Sequence, residues 1–168
     1  MEQQLEFEAG LAAVRAAARL TEAVRAEMVM GAGEAALDKA DASPVTVADF
    51  GAQALVCRTL RQSFPDDQIV AEEDSAALRE PQNAGPLAAV ARFVRAERSP
   101  ELTEYEVCTW IDEGNGAPEG RYWVLDPIDG TKGYLRQDQY AIALALMEDG
   151  AVQWGFLACP ALSHDGAQ

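Results

Sequence analysis

The amino-acid sequence predicts an α/β domain, layered in the α+β manner, in which helices sandwich a mostly antiparallel sheet. Three observations lead to this class: a long amphipathic helix at the start, an apolar run over 122–125 that is typical of a buried strand, and a hairpin pattern over 140–158. The 168 residues are enough for one hydrophobic core. Their composition, 49% hydrophobic and 24% charged, is that of an ordinary globular domain.

The helical segments are predicted from the spacing of apolar side chains. Residues 2–30 carry them at steps of three or four, which indicates one amphipathic helix. A polar, turn-forming stretch over 38–44 precedes a second predicted helix over 47–63. Further helical patterns occupy 87–98 and the residues after the Ser-Pro pair at 99–100, where serine is predicted to cap the helix and proline to occupy its first turn.

The hairpin gives the clearest expectation for the sheet. Bulky residues alternate with alanines along 140–146, and the Asp-Gly pair at 149–150 is a strong two-residue hairpin turn. That turn would pair Ala145 with Trp154, so that a small residue lies opposite a large one. Such complementarity on both faces is what a sheet covered on both sides requires. We therefore expect helices on both faces of the sheet.

Two carboxylates three positions apart, Asp126 and Asp129, follow the apolar run and precede Gly130 and Thr131. Carboxylates at the end of a buried strand are costly to desolvate unless a cation pairs with them. Hard divalent cations prefer such oxygen ligands, and the main-chain carbonyl of Ile128 could face a metal between the two. An ordinary acidic turn is the alternative, but the strand before the pair and the glycine and hydroxyl after it favour a magnesium site.

A second group of acids follows another short predicted strand, over 68–71. It consists of Glu72, Glu73 and Asp74. An exposed acidic loop would explain it equally well on its own. However, ligands in α/β sheets gather outside the carboxyl ends of strands, so we expect two strands that end in acids to converge.

Asp49 has two interpretations from the residues alone. Thr46 and Asp49 have the spacing of a capping box, in which the third helical residue bonds back to the cap. Alternatively, the positive end of the helix dipole keeps the carboxylate ionised so that it can orient a metal or a water molecule. The sequence alone leaves both roles open.

Charge and cysteine content limit the function classes. With 28 acidic and 13 basic residues the formal charge is -15, which argues against a nucleic-acid groove and makes any phosphate chemistry depend on bound metal. The first residues lack the features of a signal peptide, and no apolar run approaches membrane-spanning length. Three scattered cysteines are expected to be reduced thiols. We therefore expect a cytoplasmic protein without a membrane partner, and an organellar location stays open.

The segment from Asp126 to Arg136, Asp-Pro-Ile-Asp-Gly-Thr-Lys-Gly-Tyr-Leu-Arg, resembles a known signature. It is similar to that of the lithium-sensitive, magnesium-dependent phosphomonoesterase superfamily, which includes inositol monophosphatase and fructose-1,6-bisphosphatase. Its Lys-Gly-Tyr-Leu-Arg continuation looks most like the 3'(2'),5'-bisphosphate nucleotidase branch, as do residues 43–49, 64–67 and 139–146. The resemblance covers nearly the whole chain and implies a sugar-phosphatase-like fold.

The resemblance also implies a set of metal ligands. Glu72, Asp126 and the carbonyl of Ile128 would hold a first Mg²⁺ ion. Asp126 and Asp129 would hold a second, and Glu72 would serve any third. In such a site the metals activate water and hold the phosphate while they stabilise the leaving oxygen, without a covalent intermediate.

The reaction that the resemblance implies is hydrolysis of a small phosphate ester. Asp49 and Thr131 would orient and deprotonate the attacking water. The substrate would be adenosine 3',5'-bisphosphate, with 3'-phosphoadenylyl sulfate as its sulfated relative. Residues 1–168 would form the amino-terminal metal-binding α+β domain, and a carboxy-terminal substrate domain would lie outside this chain. Two alternatives stay open: an inositol phosphate as substrate, and a catalytically dead binding module.

Overall fold

A computed structural model of the chain describes residues 1–31 and 44–162. Its helices and strands, in chain order, are α1 (Glu2–Gly31), α2 (Pro44–Ser63), β1 (Gln68–Val70), α3 (Ala84–Glu97), α4 (Glu104–Asp112), β2 (Arg121–Asp129), α5 (Thr131–Leu135), β3 (Ala141–Glu148) and β4 (Ala151–Ala158). Two single turns of 3-10 helix, Ala77–Arg79 and Pro81–Asn83, precede α3. The turn predicted over 38–44 lies outside the described residues except for its last position. None of the described helices is long and apolar enough to cross a membrane.

The four strands form one sheet in the order β1-β2-β3-β4. β1 runs parallel to β2, whereas β2 with β3 and β3 with β4 are antiparallel pairs. The sheet is therefore mixed and mostly antiparallel. Together with the helices, it confirms the predicted α/β class.

α2 is the central helix of the described fold. Every residue from 51 to 57 is buried, because α2 packs against α1, α3 and α4 as well as against β2. Two apolar cores result. One lies among the helices and includes Leu20 and Leu55, and the other lies between the first two helices and the sheet and includes Val56 and Trp123. The position of α2 is thus fixed by packing on two sides.

The start of α4 differs from the prediction at residues 99–100. The helix begins at Glu104, and Thr103 is its N-cap. The Thr103 hydroxyl accepts a hydrogen bond from the Glu106 amide (3.2 Å), and the Glu106 carboxylate accepts one from the Thr103 amide (2.8 Å). This is a capping box, and its Thr-x-x-Glu spacing before an apolar run was the signal in the sequence.

The hairpin turn at 149–150 forms as predicted, but the pairing beyond it does not. Glu148 lies opposite Ala151, as a two-residue turn requires. Between Leu146 and Met147 the register then shifts by one residue, so Trp154 lies opposite Leu146 instead of Ala145. The extra residue in β4 is a β-bulge. The predicted pairing of Ala145 with Trp154 is therefore wrong.

The bulge sorts large and small side chains onto different faces, because a shift of one residue moves a side chain to the opposite face of the sheet. Phe156 now lies opposite Leu144, and both are buried under α1 and α2. Gly155 lies opposite Ala145 on the other face, where Leu157 is 72% exposed.

That other face is not covered by any helix in the described residues. A shallow groove of about 400 Å³ runs along it. We call it the open face, and it consists of Val124, Ala143, Ala145, Gly155 and Leu157. The expectation of helices on both faces is therefore met on one face only within residues 1–31 and 44–162.

Candidate active site

The parallel strands β1 and β2 bring two of the predicted ligands to the same edge of the sheet. Val70 pairs with Val124. Two residues further along the chain from each of them is a carboxylate: Glu72 follows Val70, and Asp126 follows Val124. Neighbouring strands are about 4.8 Å apart, so the two acids are neighbours. Burial, followed by the charges of Glu72 and Asp129, raises the pKa of Asp126 above its ordinary value.

A bulge in β2 explains why two aspartates separated by two residues can act together. Asp126 lies opposite Ala143 and Asp129 opposite Ala141, so β2 uses one residue more than β3 over this stretch. The two alanines are two positions apart and share a face, and their partner aspartates share it too. The Asp126 carboxylate also accepts a hydrogen bond from the Ile128 amide (3.1 Å), which fixes the turn between them.

Asp49 on α2 points toward these strand ends. Burial raises its pKa to about 8, helped by the negative charges of Glu73, Asp126 and Glu72 in that order. The negative charges that act on Asp49 therefore come from residues at the ends of both strands. The expectation that Asp49 lies at the helix terminus is wrong, because α2 begins at Pro44 and the effect of the helix dipole falls off within the first turn. Burial and like charges set its pKa instead.

The capping interpretation of Asp49 is also wrong. α2 begins at Pro44, so Thr46 is already inside the helix and Asp49 lies beyond its first turn. A capping box needs its threonine at the N-cap. The remaining interpretation of Asp49 is a role in the site.

Thr131 begins α5, directly after Gly130, whose φ of 93° places it in the left-handed region that glycine tolerates. The Thr131 hydroxyl donates to the Ile128 carbonyl at 3.5 Å. The structure thus brings Thr131 to one of the predicted ligands. Its pairing with Asp49 stays a prediction.

The chemistry of these residues fits a hard divalent cation. All the donors are oxygens, and burial, followed by neighbouring negative charges, raises the pKa of Asp49, Glu73 and Asp126. A cation would relieve that repulsion. Within the described part of the chain, however, no three acidic, histidine or cysteine side chains lie close enough together to hold one ion as they stand. The ligand roles of Glu72, Asp126, Ile128 and Asp129 therefore stay predictions.

Comparison with known proteins decides the family. The sequence profile of the inositol monophosphatase family matches residues 1–166. The chain belongs to the inositol monophosphatase family. The fold agrees with this: inositol monophosphatase-II from Staphylococcus aureus MSSA476 superimposes with a TM-score of 0.50 at 17% identity, over 88% of this chain and 38% of that one.

Curated relatives of this inositol monophosphatase family chain are similar over nearly its whole length. A 3'(2'),5'-bisphosphate nucleotidase from Emericella nidulans is 45% identical, and the match covers 92% of this chain and 46% of the relative. A protein of the same name from Schizosaccharomyces pombe is also 45% identical, with 95% and 48% covered. The chain thus spans about half the length of the curated relatives that it matches.

Glu73 had no predicted role of its own in this inositol monophosphatase family site. After burial, its charge is the largest influence on the pKa of Asp49. Glu73 is half-buried, whereas Glu72 is exposed. The sequence contained a signal for Glu73, since successive side chains of an acidic run at a strand end project to opposite sides of the chain. Gln53, which holds this run in place, was missed as well.

Proposed function

We propose that this chain is the metal-binding amino-terminal domain of a magnesium-dependent phosphatase. The whole protein would remove the 3'-phosphate from adenosine 3',5'-bisphosphate, and from 3'-phosphoadenylyl sulfate. The observation that carries this proposal is the parallel pairing of β1 with β2, which places Glu72 and Asp126 two residues beyond the paired Val70 and Val124. The names of the relatives, 3'(2'),5'-bisphosphate nucleotidase, support the substrate.

Glu72, Asp126, Asp129 and the Ile128 carbonyl would hold the metal. When bound, Mg²⁺ supplies an activated water and neutralises the charge of the phosphate. Asp49 would accept the proton of that water at a carboxylate oxygen. Its burial raises its pKa, which makes the carboxylate a stronger base than an exposed aspartate.

Thr131 would orient the same water through its hydroxyl. That hydroxyl lies at the start of α5, next to the Ile128 carbonyl, so orientation and metal binding would share one turn of the chain. The nucleotide contacts are assigned to a carboxy-terminal substrate domain, since the matched relatives are about twice as long as this chain. The formal charge of -15 agrees with this division, because anionic substrates need cationic or metal partners.

The test is phosphate release by the complete protein with Mg²⁺ and adenosine 3',5'-bisphosphate. Turnover should require Mg²⁺ and be inhibited by Li⁺. Asp126→Asn should lower turnover by more than about a hundredfold, because a metal ligand matters more than its supporting partners. Asp66→Asn, at an exposed turn, is the matched control and should behave as wild type. Unchanged turnover in Asp126→Asn would refute the mechanism.

Two alternatives have specific support. The family profile and the fold neighbour carry the inositol monophosphatase name, which favours an inositol phosphate as substrate. Comparing inositol monophosphate with the nucleotide in the same assay separates the two substrates. A catalytically dead binding module is the other alternative, motivated by the formal charge of -15. Calorimetric titration with Mg²⁺ would then show no metal binding linked to the nucleotide.

A further inference from the structure

We infer that Gln53 is a positioning residue for the proposed metal site. Its side-chain amide holds the main chain of the acidic loop, which we define as Glu72–Asp74, at a fixed place relative to Asp49. The inference rests on the proposed function, because it assigns Gln53 a role in presenting Glu72 to a cation.

Gln53 holds both main-chain groups of a single loop residue. The Glu73 amide donates to the Gln53 side-chain oxygen at 3.0 Å, and the Gln53 side-chain nitrogen donates to the Glu73 carbonyl at 2.5 Å. The same nitrogen donates to the Ile111 carbonyl in α4 at 2.9 Å. Both N–H groups of the amide are therefore used. Because Gln53 is 0% exposed, losing these bonds leaves buried polar groups without partners.

The position of Gln53 on α2 links the loop to the proposed base. Gln53 lies four residues after Asp49, so both side chains project from one face of the helix. Asp49 stands on this face of α2, and Gln53 on the same face binds the main chain of the acidic loop. The spacing between Asp49 and the acidic loop is thus set by one rigid helix face.

The loop needs such a restraint because its charges repel their surroundings. Glu72, Glu73 and Asp74 are three consecutive carboxylates in this short loop. Like charges at this density push a mobile loop away from the sheet edge. A neutral amide can hold the main chain without adding to the negative charge, which a carboxylate in the same place would do.

A second clamp holds the far end of the loop. The Asp112 carboxylate accepts hydrogen bonds from the Ser75 amide and hydroxyl, both at 2.8 Å. The main chain of the loop is therefore held by Gln53 at Glu73 and by Asp112 at Ser75, and the side chain of Glu72 between the sheet and these bonds is exposed. Gly114 makes room for this arrangement, since a Cβ there would lie 2.7 Å from the Gln53 nitrogen.

The experiment measures the Mg²⁺ concentration that gives half-maximal phosphate release by the complete protein at saturating nucleotide. Gln53→Glu keeps the shape but loses both donated hydrogen bonds, and Gln53→Asn keeps the amide but shortens its reach. Each should raise the half-saturating Mg²⁺ concentration by about tenfold or more. Turnover at saturating Mg²⁺ should change far less, because the base and the ligands are intact. If Gln53→Glu does not fold, Gln53→Asn carries the test.

Two controls separate positioning from stability. Val56→Ala removes buried methyl groups from the same helix, and Gln62→Ala removes an exposed glutamine from it. Both should keep the Mg²⁺ dependence of the wild type within about twofold. The inference is overturned if the Gln53 variants keep that dependence, or if Val56→Ala shifts it equally.

The proposed function and the inference about Gln53 can fail independently of each other. If the wild type releases no phosphate, the proposed reaction is wrong, and calorimetric titration with Mg²⁺ then tests Gln53 alone. Weaker Mg²⁺ binding in the Gln53 variants supports the inference, whereas equal binding, or no binding by the wild type, overturns it.

Discussion

The side chains of Glu6 and Arg121, which are 115 positions apart in the sequence, form an ion pair of 2.7 Å where α1 meets the start of β2. The Arg121 guanidinium also donates to both carboxylate oxygens of Asp67, each at 3.0 Å. Trp154 donates to Glu6 (2.9 Å) and Trp123 to Asp67 (3.0 Å). The network joins α1, the turn before β1, β2 and β4 at the edge opposite the candidate site.

Replacing Glu6 with glutamine should lower the free energy of unfolding by about 2–3 kcal/mol, because Arg121 loses its shortest ionic contact in a partly buried place. Urea denaturation at about pH 7 measures the loss. Glu2→Gln, in the same turn of α1 but exposed, should stay within about 0.5 kcal/mol of the wild type. Equal stability of the two variants would contradict a structural role for the pair.

The cost of Glu6→Gln should also depend on pH. Burial acts to raise the pKa of Glu6, but hydrogen bonds from Arg121 and Trp154 outweigh burial and hold it below its ordinary value. The ionised carboxylate therefore stabilises the fold above the pKa of the unfolded chain, about 4.3. As the pH falls through the lower pKa of the folded state, that contribution is lost. Denaturation in a series of acidic buffers should show wild type and variant becoming equally stable.

Asp49→Asn should stabilise the protein in the presence of a chelator, and more so as the pH rises. The pKa of Asp49 is raised to about 8 in the fold, against about 3.9 in an unfolded chain. Between these pH values the folded state keeps the Asp49 proton, whereas the unfolded state has lost it. Wild-type stability therefore falls as the pH rises through this window. We expect a gain of about 1–3 kcal/mol for the variant near pH 8.5, shrinking toward pH 5.

Urea denaturation at the two pH values measures this difference. Asp66→Asn, at an exposed position, should show no change with pH relative to the wild type. A pH-independent effect of Asp49→Asn would mean that the carboxylate is not crowded by the other acids.

The neighbours Phe156 and Leu157 test the register of β4. Phe156 is 7% exposed against α1, whereas Leu157 is 72% exposed on the open face. Phe156→Ala should cost about 3–5 kcal/mol, and Leu157→Ala should cost less than about 0.5 kcal/mol. Thermal or urea denaturation of the two variants checks this. The reverse order of stability would show that the bulge in β4 does not form.

Gly133→Ala should displace α5. A Cβ at Gly133 would lie 2.0 Å from the main-chain oxygen of Gln139, which no change of side-chain rotamer can relieve. We expect a loss of about 2–3 kcal/mol, together with lower phosphatase activity of the complete protein, because Thr131 is on the same helix. Gly85→Ala in α3, where the added methyl meets nothing within 4 Å, should be neutral or slightly stabilising. Equal stability of Gly133→Ala and wild type would contradict the close approach.

Local signals in the sequence predicted the helices, the hairpin turn and the acids at the strand ends. The apolar spacing in 2–30 and the Asp-Gly turn depend on residues close together in the chain. The helix and the turn could therefore be predicted from the sequence. The bulge in β4 was not predictable from the sequence, because it depends on how Phe156 packs against Gly10 in α1. A Cβ added at Gly10 would lie 2.4 Å from the Phe156 ring. Tertiary packing chose the register, and with it the face on which the aromatic residues lie.

The candidate site likewise contains some residues that the sequence predicts and others that it does not. Asp126 and Asp129 were found from their position after a strand, which is a local property. The influence of Glu73 on Asp49 was not, because these residues are separated in the sequence and act on each other only in the folded chain. Gln53 left a weaker trace: it is the single polar side chain in the buried stretch 51–57. A lone amide in such a stretch has to find partners, but the sequence does not say which.

Parallel pairing of β1 with β2 makes the cluster of acids a late product of folding. The strands are joined by residues 71–120, which contain α3 and α4, so the chain must close a long loop before the two strand ends meet. A newly made chain can bring Asp126 and Asp129 near each other early, because they share one turn. Glu72 joins them only when the crossover is complete, so we expect tight capture of a cation to begin with the native state and to shift the folding equilibrium toward it.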